Sequence, residues 1–272
     1  MITLNDIIAH KRDQVKKHKG LYPVKLLETS VYFQSSCVSL CKYLLRKDKS
    51  GIIAEIKKKS PSHGMINKYV DVEKTSIGYM QAGASALSVL TDTDFFGGTN
   101  SDLSTARKFN FCPILRKDFI IDEYQIIEAK SIGADAILLI AAVLSKQEIS
   151  NFAQLAHSLG LEVVLELHDE SELERCNDEV DVIGVNNRNL ATMKIDIEHS
   201  IHMSHLLPSG KIKISESGIE SAESISYLKN AGYSGFLIGS YFMRHALPHE
   251  ACKNLIQNLE KLNKNNQKSI VV

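Results

Sequence analysis

The chain has 272 residues, a length that suits one large domain or two small ones. Its 32 basic and 32 acidic residues leave no net charge, so overall charge draws it neither to nucleic acid nor to an anionic membrane, and any anion must be bound locally. The charged first 20 residues lack the apolar stretch of a signal peptide, and the longest apolar run, 136–144, falls far short of the roughly 18 residues that span a bilayer.

Residues 1–50 precede the regular part of the sequence. Within them, 4–19 is predicted to be a charged amphipathic helix, and a second apolar segment covers 38–45. About 50 residues bury little core by themselves, so we expect this extension to pack on the larger domain. The predicted division is an N-terminal helical extension, 1–50, and a single catalytic domain, 51–272.

From residue 51 onward, short aliphatic runs alternate with longer amphipathic stretches, which is typical of βα units and a parallel sheet. The predicted strands are 51–56, 86–90, 113–115, 136–140, 162–167, 182–185, 211–214 and 235–238. The predicted helices are 71–82, 101–109, 122–132, 145–159, 170–176, 196–205, 221–231 and 248–261. Ser145 and Glu148 have the spacing of a capping box at the start of one of them.

Eight strands, each followed by a helix, predict a (β/α)₈ TIM barrel with an extra N-terminal helical segment. A doubly wound open sheet is the alternative. No Gly-x-Gly-x-x-Gly follows the first strand, which argues against the dinucleotide-binding form of that sheet.

The first predicted strand carries two charges where a barrel strand normally packs. Glu55 and Lys57 are two residues apart, so both point to the same face. An internal ion pair that only fills the barrel is the structural alternative. Desolvation largely offsets the attraction within such a pair, so a functional role is the better explanation.

Polar residues follow most of the other strands, at the carboxyl ends where this fold builds its sites. Glu166 ends an apolar run, where a carboxylate is costly unless it is partnered. A salt bridge for Glu166 and an ordinary exposed Lys117 are the structural alternatives, but two lysines and two carboxylates at one mouth can supply both a proton donor and an acceptor. The strand-end residues that are polar or suited to binding phosphate are Glu55, Lys57, Thr91, Asp92, Lys117, Asp118, Glu166, His168, Asn186, Arg188, Glu216, Ser217, Gly239 and Ser240.

Ser217-Gly218 and Gly239-Ser240 follow the last two strands. Loops in these places are the usual phosphate cradle of the fold, because glycine lets backbone N–H groups approach the oxygens. A metal site is not predicted. His199, His202 and His205 have helical spacing, but no carboxylate or cysteine cluster completes a site and a solvated helix face explains them.

With these residues in order, the chain resembles indole-3-glycerol-phosphate synthase, a lyase of tryptophan biosynthesis. The resemblance runs from "DIIAHKRDQV" near the start to "FLIGSYFMR" in the eighth unit. It is carried by a series of motifs in the family's order: "IAEIKKKSPSHG", "LTDTDFFGG", "PILRKDFIIDEYQI", "GADAILLIAAVL", "IGVNNRNL", "ISESGI" and "FLIGS".

The resemblance implies a barrel with an added N-terminal helical segment, working without a metal or an organic cofactor. The implied reaction converts 1-(2-carboxyphenylamino)-1-deoxyribulose 5-phosphate into indole-3-glycerol phosphate, with release of CO₂ and water. The implied catalytic residues are Lys117, Glu166, Lys57, Glu55, Asn186 and Ser217. The implied substrate-binding residues are Ser60 and Arg188 at the carboxylate, Ser217, Gly218, Gly239, Ser240 and Lys57 at the phosphate, and Leu237 in "FLIGS".

This chemistry needs an acid where the ring carbon attacks the ketone, and we expect Lys117 to supply it. Loss of the resulting hydroxyl needs a second acid and a base, roles that fit Lys57 and Glu166. The order of the lysines stays open, and Glu55 either transfers a proton or holds a lysine. Two positions depart from the family pattern, Gly97 and His63, and both concern loops. Lys58 and Lys59 are predicted to be solvated.

Three other functions are alternatives for such a barrel. A phosphoribosylanthranilate isomerase would need a Cys/Asp pair, and Cys112 with Asp118 does not fit one, since Cys112 precedes a strand. A Schiff-base aldolase would use Lys117 as the nucleophile, and a barrel without activity would serve as a scaffold. The predicted partners are a small phosphorylated substrate and other enzymes of the tryptophan pathway, without nucleic acid or membrane. Five cysteines without a Cys-x-x-Cys pair predict a cytoplasmic location.

Overall fold

Eight parallel strands form a closed barrel in a computed structural model that describes residues 3–190 and 192–270. Each strand pairs with the next along the chain, and the ring closes where Ile52 pairs with Phe236. This closure confirms the TIM barrel and rules out the open sheet. The strands are β1 (Ile52–Ile56), β2 (Ala86–Leu90), β3 (Ile114–Lys117), β4 (Ala136–Ile140), β5 (Glu162–Leu167), β6 (Val182–Asn186), β7 (Ile212–Glu216) and β8 (Gly235–Ile238).

The longer helices lie close to their predicted places. The Ser145–Glu148 capping box is present, with the Ser145 backbone N–H donating to Glu148 Oε2 at 2.8 Å. No helix in the described part of the chain is long and apolar enough to cross a membrane. These helices are Leu4–Leu21, Val72–Gln81, Asn100–Phe109, Glu123–Ser131, Lys146–Ser158, Glu198–Ser204, Ala222–Asn230 and Pro248–Ile270.

The last helix continues to Ile270, beyond its predicted end at 261, and the other segments that differ from prediction are short. The helix predicted at 170–176 is a 3-10 helix, Glu170–Arg175, whose start is capped by the Asp169 side chain. The 3-10 form suits a short connector, because it needs few residues for each turn. The described part of the chain has four further helices of one turn, of which only the second falls in a segment that was expected to be helical: Val24–Leu27, Leu40–Leu44, Thr93–Phe96 and Ser240–Met243.

Side chains of the barrel strands divide between two apolar clusters. One lies between the strands and the helices, and the other fills the barrel interior with residues such as Ile53, Leu138 and Val164. Leu40 of the N-terminal segment is fully buried in the interior cluster. Because strand side chains alternate, Ile53 packs inside the barrel and Glu55, two residues on, faces inward at its carboxyl end.

The helix Leu4–Leu21 is attached to the barrel by a buried lysine. Lys11 Nζ lies 2.6 Å from Asp92 Oδ2 and 2.8 Å from Asp118 Oδ1, and all three side chains are almost fully buried. Burial opposes the ammonium form, but the two carboxylates raise the pKa of Lys11. Asp118 also contacts Arg116 at 3.2 Å. The N-terminal helix is thus held to the residues that follow β2 and β3.

We predict that Lys11→Met lowers the free energy of unfolding by about 3 kcal/mol or more, because it removes the buried cation that Asp92 and Asp118 share and leaves Asp118 only its contact with Arg116. Urea-induced unfolding followed by circular dichroism measures the loss. Lys17→Met is the matched control, since Lys17 is an exposed lysine of the same helix. Equal stability of the two variants would contradict an anchoring role for Lys11.

Candidate active site

A cavity of about 240 Å³ opens at the carboxyl ends of the barrel strands. Every residue predicted to be catalytic or to bind substrate lines it, although these residues come from six different strands and the loops after them. The twelve are Glu55, Lys57, Ser60, Lys117, Glu166, Asn186, Arg188, Ser217, Gly218, Leu237, Gly239 and Ser240.

Lys117 lies at the centre of the cavity between two carboxylates from other strands. Its Nζ is 2.6 Å from Glu166 Oε2 on β5 and 3.4 Å from Glu216 Oε2 on β7. Burial disfavours the ammonium, but Glu166, Glu216 and Glu55 outweigh it and raise the pKa of Lys117. Burial likewise disfavours the Glu166 carboxylate, yet Lys117 and His168 hold the pKa of Glu166 well below its usual range. The pair is therefore an ammonium and a carboxylate at neutral pH.

Glu55 and Lys57 form a second pair on β1 and in the residues after it. Lys57 Nζ donates to Glu55 Oε1 at 2.7 Å, and the Glu55 side chain is 4% exposed. Room for this carboxylate comes from Gly239, because a Cβ at that position would overlap Glu55 Oε1. The charges that the sequence placed on one strand face therefore meet at the cavity.

Glu216 belongs to the site but was not among the predicted catalytic residues. It is 2% exposed, and its Oε1 has no hydrogen-bond partner in the described part of the chain. Burial is the main reason that the pKa of Glu216 is raised to about 8; Lys117 lowers it, and the nearby Glu166 and Glu55 add to the rise. A carboxyl group with such a pKa can hold a proton near neutral pH and donate it. The sequence feature that indicates Glu216 as a site residue is its position at a strand end, two residues after Ile214 and therefore on the same face of the strand.

The second oxygen of Glu166 is held by two further side chains. Asn186 Nδ2 donates to Glu166 Oε1 at 3.0 Å, and His168 Nε2 lies 2.9 Å from the same atom. His168 stands at a polar strand end but was not among the predicted site residues. Its signal was the same as that of Glu55 and Lys57, two charged or polar residues separated by one.

The loops after β7 and β8 form one wall of the cavity. Ser217 and Gly218 both have left-handed backbones, with φ of 71° and 75°. This conformation is uncommon for serine, and such strain is often found at functional sites. The N–H groups of Gly218 and Gly239 donate to no acceptor in the described part of the chain. These donors are available to a bound anion.

Arg188 and Ser60 lie at another part of the rim. Arg188 is half-buried and donates to the Met193 carbonyl at 3.3 Å, and no carboxylate among the described residues lies within ion-pair distance of it. Ser60 is buried and accepts a hydrogen bond from the His63 backbone N–H. A guanidinium without an acidic partner is suited to binding a carboxylate from a ligand.

An apolar slot completes the cavity. The rings of Phe96 and Phe119 have centroids 5.9 Å apart, and Leu4 and Ile7 of the N-terminal helix lie on the same cavity. A flat aromatic group can pack against such a wall. These residues were not predicted, since apolar side chains at a site cannot be told from core residues in the sequence.

The loop after β1 is more ordered than predicted. Lys59–Ser60 pairs with Gly64–Met65 in a two-residue antiparallel ladder. Lys58 was expected in solvent, and this was wrong: its Nζ lies 2.7 Å from Asp102 Oδ2 in a largely buried salt bridge. The partner comes from the helix after β2, a contact that the local sequence does not reveal.

The histidines at helical spacing do not gather around a metal. His202 pairs instead with Glu170 at 2.5 Å on the protein surface. Within residues 3–190 and 192–270, no cluster of three or more His, Cys, Asp or Glu side chains is arranged to hold a metal ion.

Fold and site together define a (β/α)₈-barrel enzyme with an acid–base centre, an apolar slot and an anion-binding wall. The family model described as indole-3-glycerol phosphate synthase matches residues 4–255. An indole-3-glycerol phosphate synthase of Bacteroides thetaiotaomicron is 45% identical over 94% of this chain and 98% of its own length, and one of Campylobacter fetus is 40% identical over 93% and 98%. The chain belongs to the indole-3-glycerol phosphate synthase family.

Family membership defines the activity. The enzyme is a carboxy-lyase that closes the ring of 1-(2-carboxyphenylamino)-1-deoxyribulose 5-phosphate, with decarboxylation and dehydration, to give indole-3-glycerol phosphate. Its substrate is thus a small phosphorylated molecule of the tryptophan pathway.

More distant solved structures share only the fold. A chain of the tryptophan synthase complex from Pyrococcus furiosus aligns with a TM-score of 0.57 at 14% identity, over 79% of this chain and 99% of that one. Thiamine phosphate pyrophosphorylase from the same organism aligns with a TM-score of 0.58 at 13% identity, over 82% and 98%.

We predict that Gly184→Ala lowers kcat roughly tenfold or more, as expected when a group that contacts Lys117 in the site is displaced. A Cβ at position 184 would stand 2.5 Å from Glu216 Oε1, so the carboxyl must move. Steady-state kinetics with fluorescence detection of the indole product measures the effect. Gly20→Ala is the control, since a Cβ there meets nothing within 4 Å. An unchanged kcat for Gly184→Ala would show that the position of Glu216 does not matter.

Proposed function

We propose that Lys117 is the general acid of ring closure in this indole-3-glycerol phosphate synthase. The observation that carries the proposal is the contact of its Nζ with Glu166 and Glu216 inside a cavity with an apolar slot and an anion-binding wall. Attack of the anilino ring carbon on the ketone builds negative charge on the ketone oxygen. An ammonium beside that oxygen stabilises the charge and delivers the proton.

Lys57 of the second pair is proposed to act after decarboxylation, when the hydroxyl at the former ketone carbon must leave. Lys57 is the proposed acid that protonates this hydroxyl. Glu166 is the proposed base that takes the proton lost when the new five-membered ring becomes aromatic. Glu55 holds Lys57 through their 2.7 Å contact. Asn186 holds Glu166, and Glu216 stands beside Lys117 as a second carboxyl.

Different parts of the cavity are proposed to bind different groups of the substrate. Arg188 and Ser60 are proposed to bind the carboxylate that leaves as CO₂, and the aromatic ring packs against Phe96 and Phe119. The phosphate is proposed to bind at the wall formed by the loops after β7 and β8. Its proposed ligands are Ser217, Gly218, Gly239, Ser240 and Lys57, with Leu237 packing beside them.

A Schiff-base mechanism would ask for the opposite protonation state of Lys117. A lysine nucleophile must be a neutral amine, usually because burial lowers its pKa. Here three carboxylates overcome burial and raise the pKa of Lys117. This favours an acid over a nucleophile.

Cytoplasmic location and association with other tryptophan-pathway enzymes are part of the proposal. All five cysteines are free thiols, which suits a reducing compartment. Cell fractionation tests the location. Co-sedimentation with the purified pathway enzymes tests the association, and migration of each enzyme alone would count against it.

Lys117→Ala is expected to lower kcat by on the order of a hundredfold or more, the usual effect of removing a general acid. The increase of indole fluorescence on addition of substrate measures the rate. Lys108→Ala, which removes an exposed lysine, is the control. A Lys117→Ala enzyme that turns over at the normal rate would remove this residue from the mechanism.

Ser240→Glu is expected to raise KM with a smaller change in kcat, because it places a negative charge where the phosphate is proposed to bind. The same fluorescence assay over a range of substrate concentrations separates the two constants. A loss confined to kcat would show that the phosphate binds elsewhere.

A further inference from the structure

His168 contacts the proposed base directly, yet no step of the reaction uses it. Its Nε2 lies 2.9 Å from Glu166 Oε1, and its side chain is 7% exposed. Asn186 shares that oxygen at 3.0 Å, while Glu166 Oε2 faces Lys117 at 2.6 Å. Each oxygen of the Glu166 carboxylate therefore has its own hydrogen-bond donors, and these donors fix the orientation of the group.

The position of His168 is itself fixed by the segment after β5. The His168 backbone N–H donates to Glu172 Oε2 at 2.7 Å, and Glu172 belongs to the 3-10 helix Glu170–Arg175. The other ring nitrogen, Nδ1, is buried without a hydrogen-bond partner in the part of the chain described. A buried ring nitrogen without a partner is unfavourable, so the ring is not placed there for its own stability.

The carboxyl groups of the acid–base centre outnumber its lysines by one. Three carboxyl groups, Glu55, Glu166 and Glu216, face only two lysines, Lys57 and Lys117, so full ionisation would leave a net negative charge in a buried space. One additional proton balances the centre. Glu216 can hold that proton, and so can the imidazole of His168.

The contacts and the charges around the His168 ring both favour the imidazole as the group that holds the additional proton. Burial opposes an imidazolium, but the bond to Glu166 and the nearby carboxylates raise the pKa of His168. In return, His168 lowers the pKa of Glu216. The titratable groups that face the ring are Glu166 on β5, Glu172 in the 3-10 helix, Glu216 on β7, His199 in the helix after β6, and Lys117 through the shared Glu166.

We propose that His168 is a positioning residue of the reaction, which holds Glu166 Oε1 so that Oε2 stays on Lys117 and supplies the third positive charge of the centre. The proposal rests on the proposed role of Glu166 as the base. It adds that Glu166 acts as a base in one orientation only, and that His168 fixes this orientation.

Two substitutions separate the hydrogen bond from the charge. His168→Gln keeps an N–H donor that can reach Glu166 but cannot be protonated, and His168→Leu removes both. We expect His168→Leu to lower kcat roughly tenfold or more with KM within about threefold, because the anion-binding wall is untouched. We expect His168→Gln to recover most of that loss at pH 8. His202→Gln, at an exposed histidine that pairs with Glu170, is the control.

The kinetic outcomes decide between a positioning and a merely structural role. A kcat of His168→Leu within twofold of the wild type would overturn the proposal, as would equal losses in both variants accompanied by a lower Tm. If His168→Leu does not fold, the comparison of His168→Gln with the wild type at pH 6 and pH 8 stands alone. The expected result is then that kcat of His168→Gln falls further below the wild-type value at pH 6, where the wild-type ring is charged, than at pH 8. An equal loss of kcat at the two pH values would contradict a positive charge on His168.

A readout without turnover tests the charge directly. Nitrogen-15 spectra of histidine-labelled protein identify the His168 signal by its loss in His168→Gln. We expect this ring to titrate above its ordinary pKa in the wild type and lower in Glu166→Gln, since that substitution removes the opposite charge that favours the imidazolium. A titration that Glu166→Gln does not alter would overturn the coupling. Full activity of Glu166→Gln would instead reject the proposed base, a distinct result.

Discussion

The structure depends on keeping Lys117 charged where water is largely excluded. An ammonium in such a place is stable only when carboxylates compensate for lost hydration, and here Glu166 and Glu216 do so from two other strands. The carboxylates need compensation in turn, from Asn186 and His168 at one oxygen of Glu166, and from a raised pKa at Glu216. The centre is a set of mutually dependent charges, and its protonation states follow from their number and placement.

Space for these charges is made by glycines on the barrel wall. A side chain at Gly239 would overlap Glu55, and one at Gly184 would crowd Glu216. Both glycines lie in or beside strands, where a glycine weakens pairing and offers nothing to pack. Their presence is explained by the close approach of the carboxyl groups.

The sequence predicts the parts of the site that follow from local periodicity. Glu55 and Lys57 lie two residues apart, so their shared face required no knowledge of the fold. The barrel itself followed from eight repeated units, and the family motifs gave the remaining site residues. The 3-10 helix Glu170–Arg175 was missed because a segment of six residues carries too little periodicity to separate it from an α-helix.

What the sequence could not supply is the environment of each charge. His168 and Glu216 were visible as polar strand ends, but burial and the neighbours from other strands decide what they do. Lys58 was misjudged for the same reason, because Asp102 lies 44 residues away in the chain. The apolar slot of Phe96 and Phe119 carries no signal that distinguishes it from core.

Strand β3 shows why the N-terminal helix and the site cannot be considered separately. Arg116 and Asp118 belong to the buried ion network around Lys11, while Lys117 between them points to the opposite face and enters the cavity. A slip of one residue would exchange the two sets and place the anchoring charges in the site. Lys11 therefore pins the register of the residue that we propose as the general acid, which explains why an extension outside the barrel contacts the strand that carries it.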